Sequence, residues 1–292
     1  MDVEALSRLG CEKEGDMETM RAQLFYKAAD LQGWDFRTHN TINYRENVGK
    51  VVKCPDQIEE AQLCSSTVIH ASRKPNGVFV GASIPCSLFK VQGIPLVSDK
   101  EKSGFKEFKV LEEFPQEQLD SIFGWKYHEA CEPIYPLTLD AIKIGNEQIA
   151  LLQNWDSVRA SVWDSVRASV GDSVGASVWS SVGASVWDSV GASVGDSVGA
   201  SVWDSVGTSV GASVWASVWD SVGAYIGSFF PKIKHWKYAP KNIKGYPYQS
   251  SVNLWRQGIV PSFDGTTWRL HVDKNAKIAY EITAEKLRSW KP

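Results

Sequence analysis

From Ser157 to Val222 the dipeptide Ser-Val returns every fourth residue, in seventeen consecutive copies. The residue before each Ser is Asp or Ala, apart from Ser180 and Thr208, and the residue after each Val is Gly, Trp or Arg. So short and unbroken a repeat constrains a chain more than composition does, because every unit must make the contacts its neighbours make. Disorder is excluded by content. Each unit carries an apolar Val, and Trp155, Trp163, Trp179, Trp187, Trp203, Trp215 and Trp219 lie in or beside the array, whereas disordered segments lack both kinds of residue. A long α-helix is disfavoured twice over. Ser and Val each cost about 0.5 kcal/mol against Ala and Gly about 1 kcal/mol, and a period of four drifts about 40° per unit around a helix of 3.6 residues per turn.

The pattern therefore predicts a short β-solenoid over residues 151–230. In a strand, Val and the Ala or Asp two residues before it share one face and would fill a narrow interior. Ser and the last residue of the unit would face outward or turn corners, where Gly tolerates positive φ. Asp156, Asp172, Asp188, Asp204 and Asp220 recur every sixteen residues, which favours four units per coil and one stacked carboxylate column.

The unit Ala160-Ser161-Val162-Trp163 keeps a small residue two places before a central aliphatic. In this it resembles the pentapeptide-repeat pattern Ala-Asp/Asn-Leu-x-x with one residue removed. Pentapeptide-repeat proteins form four-sided right-handed β-helices, and some mimic duplex DNA, so the resemblance implies a square coil. One carboxylate per coil, about 4.8 Å apart, is sparse beside the roughly 1.7 Å charge spacing of duplex DNA. Flat tryptophan-bearing faces suit protein contact better. The rod is therefore expected to mediate protein contact, including self-association, with Trp179, Trp187 and Trp203 as the interaction residues.

Two segments flank the repeat, an α+β head over residues 1–150 and an α+β cap over 231–292. In the head, strand-like runs come first (Gln23 to Tyr26, Lys50 to Lys53, Thr67 to Ala71, Gly77 to Gly81, Glu107 to Leu111) and helical stretches follow (Gln116 to Phe123, Leu139 to Leu152). Leu24-Phe25-Tyr26-Lys27-Ala28, Val48-Gly49-Lys50, Leu63-Cys64 and His70-Ala71 resemble an N-terminal domain of unknown function in phage and bacterial proteins, in which a cysteine commonly follows His-Ala. Here Ser72 takes that place. At the far end of the repeat Ile226 and Phe230 continue the valine slot before Pro231 breaks it. The cap carries twelve Lys or Arg against four acids, a surface expected to face the acidic repeat and only secondarily to suit nucleic acid. Its run Tyr248-Gln249-Ser250, Leu254-Trp255 and Trp268 to His271 resembles the tails of proteins with similar Ser-Val arrays.

Met1 to Met20 is acidic without an apolar run, and no stretch has the roughly 18 apolar residues a membrane span needs. A cytoplasmic location without membrane contact is expected. Cys11, Cys54, Cys64, Cys86 and Cys131 are odd in number and irregularly spaced, which predicts free thiols. No nucleotide-binding, zincin or nucleophile-elbow motif is present, and no cofactor or metal is expected. Two functional classes remain. One is a non-enzymatic structural or protein-binding scaffold, of phage origin. The other is an enzyme whose site lies in the head, marked by Cys64 beside His70, with His128 and Cys131 as further candidates.

Overall fold

The computed structural model describes residues 22–38, 41–56, 60–206 and 211–292. Cys11, His39 and the acidic Met1 to Met20 lie outside them, as do Thr208 and the side chain of Asp204. The chain divides into two compact units at Gln118/Leu119, so the repeat and the basic C-terminal segment belong to one unit.

The first unit is built on antiparallel sheets. Strands β1 (Gln23–Ala29), β2 (Val51–Lys53), β4 (Ser87–Gly93) and β7 (Glu107–Glu113) form a four-stranded sheet in the order β1-β4-β7-β2, and β3 (Ile69–Ala71), β5 (Val97–Ser98) and β6 (Ser103–Phe105) form a smaller one in the order β3-β6-β5. Alternation in β7 buries Phe108 and Val110 between solvent-facing Glu107 and Lys109. These join Phe25, Phe89 and Phe105 in an aromatic-rich core, with Phe25 and Phe105 in an edge-to-face contact at 4.8 Å. The run Gly77 to Gly81 is not a strand. Pro75–Val80 winds as a 3-10 turn, for which Pro75 presets φ. Gly77 presses against Ser72, where a Cβ would overlap Ser72 Oγ.

In the second unit the expected β-solenoid is not formed. Among the described residues from 146 to 227 there are helices and no strand. Two short helices, α1 (Leu119–Phe123) and α2 (Tyr127–Cys131), precede α3 (Asn146–Val158), α4 (Val162–Ser173), α5 (Ala176–Val186), α6 (Ala192–Val206) and α7 (Gly211–Gly227). The fold is mixed α/β with three small antiparallel sheets.

The angular drift that argued against a helix is real, and the chain resets it by breaking. α4 carries Val162, Val166 and Val170, α5 carries Val178, Val182 and Val186, and α7 carries Val214, Val218 and Val222. Three valines at 40° per step span about 80°, which one buried face accommodates. Between α4 and α5 the chain turns at Gly175, whose φ of 131° suits only glycine. Between α5 and α6 a π turn, Trp187–Gly191, shifts the phase without breaking the helix. The nine valines on these three faces are at most 1% exposed, and Val174, at the Gly175 break, is half-buried. Burying a valine contributes about 1.5 kcal/mol or more, which exceeds its own propensity cost of about 0.5 kcal/mol and offsets most of the roughly 1–2 kcal/mol that Ser, Val and Gly together cost a unit.

The final residue of the repeat unit is equally informative. Trp163, Trp179, Trp187, Trp215 and Trp219 pack on one another, with Trp187 and Trp219 stacked at 3.7 Å. Where one helix presents Trp, the other presents Gly: Trp215 lies against Gly195, and Trp163 against Gly223. Tryptophan knobs fill glycine holes.

The C-terminal segment folds as α8 (Gln249–Arg256), then β8 (Val260–Phe263), β9 (Thr267–Val272) and β10 (Lys277–Thr283) in an antiparallel sheet of order β10-β9-β8, then α9 (Ala284–Ser289). It docks on the repeat helices. Phe263 N–H donates to Ser217 Oγ on α7, Arg288 Nε lies 2.8 Å from Asp156, and Lys237 pairs with Asp172. Ile226 and Phe230 are buried at the end of the array, Phe230 beside Trp125.

Candidate functional site

In the first unit a cavity of about 450 Å³ opens beside β1 and β3 and is lined by Lys27, Asp35, Arg37, Cys64, His70 and Lys102 among others. Its framework is a backbone bridge between β1 and the residue after β3, with Tyr26 N–H donating to Ser72 O at 2.7 Å and Ser72 N–H to Tyr26 O at 2.8 Å. Period-two alternation places Lys27 on the same face as Phe25, so its ammonium turns inward and needs a counter-charge. Asp35 supplies it, with Oδ2 2.5 Å from Lys27 Nζ and accepting from Tyr44 Oη at 2.8 Å. Burial by itself would raise the Asp35 carboxyl, but Lys27, Tyr44 and the Thr38 amide outweigh it and hold the group well below the usual carboxylate range. Asp35 Oδ1 also accepts from the amides of Arg37 and Thr38. That turn delivers Arg37 to the cavity.

Lys102 arrives by a similar device. The turn between β5 and β6 is tied by Asp99 Oδ1, which accepts from the amides of Glu101 and Lys102 at 2.8 Å. The Lys102 ammonium then donates to Cys64 Sγ at 2.7 Å. Cys64 sits in the left-handed region with φ 63°, which for a residue with a Cβ costs roughly 1–2 kcal/mol. Two bonds over-determine it: its N–H donates to His70 Nε2 at 3.1 Å, and Arg37 donates to its carbonyl at 2.6 Å. Burial, and then the cations of Lys27, Lys102 and Arg37, push the His70 pKa down to about 4. The ring is therefore neutral at physiological pH, with the proton on Nδ1 and the lone pair of Nε2 spent on the Cys64 amide.

Cys64 and His70 meet, a contact that their spacing of six left open, but not as a thiol–imidazole dyad. His70 positions the cysteine backbone, and the group at the sulfur is Lys102, a residue the sequence reading missed. Nothing local marks it, since Lys102 lies 38 residues beyond Cys64. Ser72 is bound to Glu101 O at 2.6 Å and shapes the wall.

The other candidates fall elsewhere. His128 Nδ1 lies 2.8 Å from Asp120, and burial pushes the half-buried Cys131 thiol up to about 11. Neither lines the cavity. Among the described residues no cluster of metal-ligating side chains forms. Among the described residues the aspartates make no stacked column, since Asp156, Asp172 and Asp220 each meet a different cation, Arg288, Lys237 and Arg159. Trp179 and Trp187 are half-buried in the tryptophan cluster, and Trp203 is 58% exposed. Several cations of the C-terminal segment are committed within the unit, Arg269 to Asp264 and Glu281, and Arg256 to Glu129. Among the described residues no helix is long and apolar enough to cross a membrane. Comparison of the chain with protein-family models, with curated proteins and with solved structures finds no match.

Proposed function

We propose that the first unit is a thiol-dependent enzyme domain in which Cys64 attacks a small molecule held in the cavity. The observation that carries this reading is a cysteine sulfur with an ammonium 2.7 Å away, lining a cavity of about 450 Å³, a volume typical of small-molecule sites. Reactive cysteines are found next to cations, partly exposed, and Cys64 is exposed whereas Cys54 and Cys86 are buried. Its strained backbone, held by His70 and Arg37, is of the kind that gathers at functional sites. The sulfur of the thiolate gives an electron pair to an electrophilic carbon. The leaving group departs with the electron pair of the broken bond and takes a proton from Lys102. Water then cleaves the S–C bond, and the thiol returns its proton to the Lys102 amine.

The test is alkylation of the full chain by iodoacetamide, followed residue by residue by peptide mass mapping. Cys64 is expected to react on the order of tenfold faster than free cysteine at pH 7, and Lys102→Met to abolish the excess. Reaction no faster than free cysteine overturns the proposal. A second reading, protein contact through the repeat, is favoured by the exposure of Trp203.

A further inference from the structure

We infer that the cavity selects an anionic substrate, an electrophile bearing a carboxylate or phosphate group, and that Arg37 is the residue that recognises it. The inference rests on the Cys64 reading above and adds the class of molecule. Three cations, Lys27, Arg37 and Lys102, line the cavity, against one carboxylate, Asp35. Asp35 is committed to Lys27, both side chains being largely buried at 13% and 3% exposure. His70 is neutral near pH 7 and adds no charge. Lys102 is matched to the Cys64 sulfur, so a thiolate there would be balanced and would not repel an incoming anion. The surplus positive charge is that of Arg37.

The surplus is local, in a chain whose formal net charge is −3. Arg37 is itself exposed, so its attraction for an anion is partly screened and acts at contact range. Arg37 is also placed for the task. One guanidinium nitrogen, Nη2, holds the Cys64 carbonyl, which fixes the planar fork beside the nucleophile, and the fork carries further N–H donors suited to bidentate contact with an oxyanion. The rest of the wall includes Tyr26, Phe36, Val78 and Val80, room for an apolar portion. The substrate class is then a small molecule with an anionic end at Arg37 and an electrophilic carbon within reach of Cys64 Sγ.

Two reagents of nearly equal size separate this inference from the reading beneath it. Iodoacetate and iodoacetamide alkylate a thiolate identically: the S–C bond forms and iodide leaves with its electron pair. The expected result is an iodoacetate-to-iodoacetamide rate ratio at Cys64 on the order of tenfold above that of free cysteine in the same buffer, the scale of one partly screened ion contact. Arg37→Gln should return the ratio to that of free cysteine, a readout that is internally normalised and so holds even if loss of the Arg37 bond to the Cys64 carbonyl slows both reagents. Protection of Cys64 by acetate or by inorganic phosphate then says which anion the fork prefers. A ratio equal to that of free cysteine overturns the anionic class, yet leaves the nucleophile reading standing if iodoacetamide still reacts fast. A slow iodoacetamide reaction removes the nucleophile reading itself. An unchanged ratio in Arg37→Gln, with its melting temperature preserved, assigns the preference elsewhere and refutes the role given to Arg37.

Discussion

Glycine-to-alanine substitutions in the repeat should change sign with position. In the middle of a helix this substitution normally stabilises by roughly 0.5–1 kcal/mol, because alanine restricts the unfolded backbone. At Gly183 in α5 a Cβ would have nothing within 4 Å, so Gly183→Ala should show that gain undiminished. At Gly195 in α6 the same atom would lie 2.6 Å from Trp215 Cζ3 and 2.9 Å from Cη2. Both are below any sustainable carbon–carbon contact, and Trp215 is flanked by Trp187 at 6.2 Å, so the indole has little room to yield. Overpacking of this kind costs typically about 1–3 kcal/mol. Set against the propensity gain, Gly195→Ala should be destabilising by about 1 kcal/mol, with the pair separated by about 2 kcal/mol. In a unit of this size 1 kcal/mol moves the melting temperature by about 2–4 °C. Thermal unfolding followed by circular dichroism at 222 nm should therefore place Gly183→Ala above the parent protein and Gly195→Ala below it. Adding Trp215→Leu to Gly195→Ala should recover part of the loss, and the double-mutant cycle should give a coupling of 0.5 kcal/mol or more. If Gly195→Ala is as stabilising as Gly183→Ala, the knob-and-hole account of the Trp and Gly units is wrong.

Val182→Ala, at a fully buried position of α5, should lower stability by about 1–3 kcal/mol in chemical denaturation, whereas Val174→Ala at the Gly175 break should cost less than half as much. Asp220 has its pKa raised to about 6, chiefly by burial, with Arg159 pulling the other way. Between about pH 4 and 6 the folded form holds a proton that the unfolded form has lost, so this group's contribution to stability falls as pH rises through that window. The loss, on the order of 3 kcal/mol, should disappear from the pH profile of Asp220→Asn, and an identical profile for the variant and the parent would exclude it. Trp203→Ser should leave the melting temperature unchanged and remove any self-association detected by sedimentation velocity; an unchanged sedimentation profile in an associating protein would exclude Trp203 from the contact.

How much of this was legible in the sequence depends on the distance over which each feature is decided. The strands around Phe25, Val52, Ile69 and Phe108 were readable because alternation and turn residues act within a few positions. The burial of the valines was readable for the same reason. Their helical state was not. Period four fits a single straight helix badly, and phase breaks such as those at Gly175 and at Trp187–Gly191 make it acceptable. Gly175 does turn the chain, but Gly195 and Gly223, also read as corner residues, proved to be spaces into which Trp215 and Trp163 fit.

The site shows the same division more sharply. Cys64 and His70, six residues apart, could be paired from the sequence, yet spacing alone could not say which atoms meet. The left-handed turn at Cys64 points its amide at the imidazole, and that one contact changes the chemistry. An imidazole whose only lone pair holds a backbone N–H cannot take a proton from the thiol, and with its pKa near 4 it is not a cation near neutral pH either. The charge that a reactive sulfur needs must come from outside the motif. Here it is brought by a turn that Asp99 ties, in a different sheet from β1. It follows that His70 and Lys102 are separable in experiment. Loss of Lys102 should remove reactivity and leave the loop in place, whereas His70→Gln, which retains an acceptor for the Cys64 amide, should preserve more reactivity than His70→Ala. Equal loss in the two His70 variants would mean that the imidazole does more than hold the backbone.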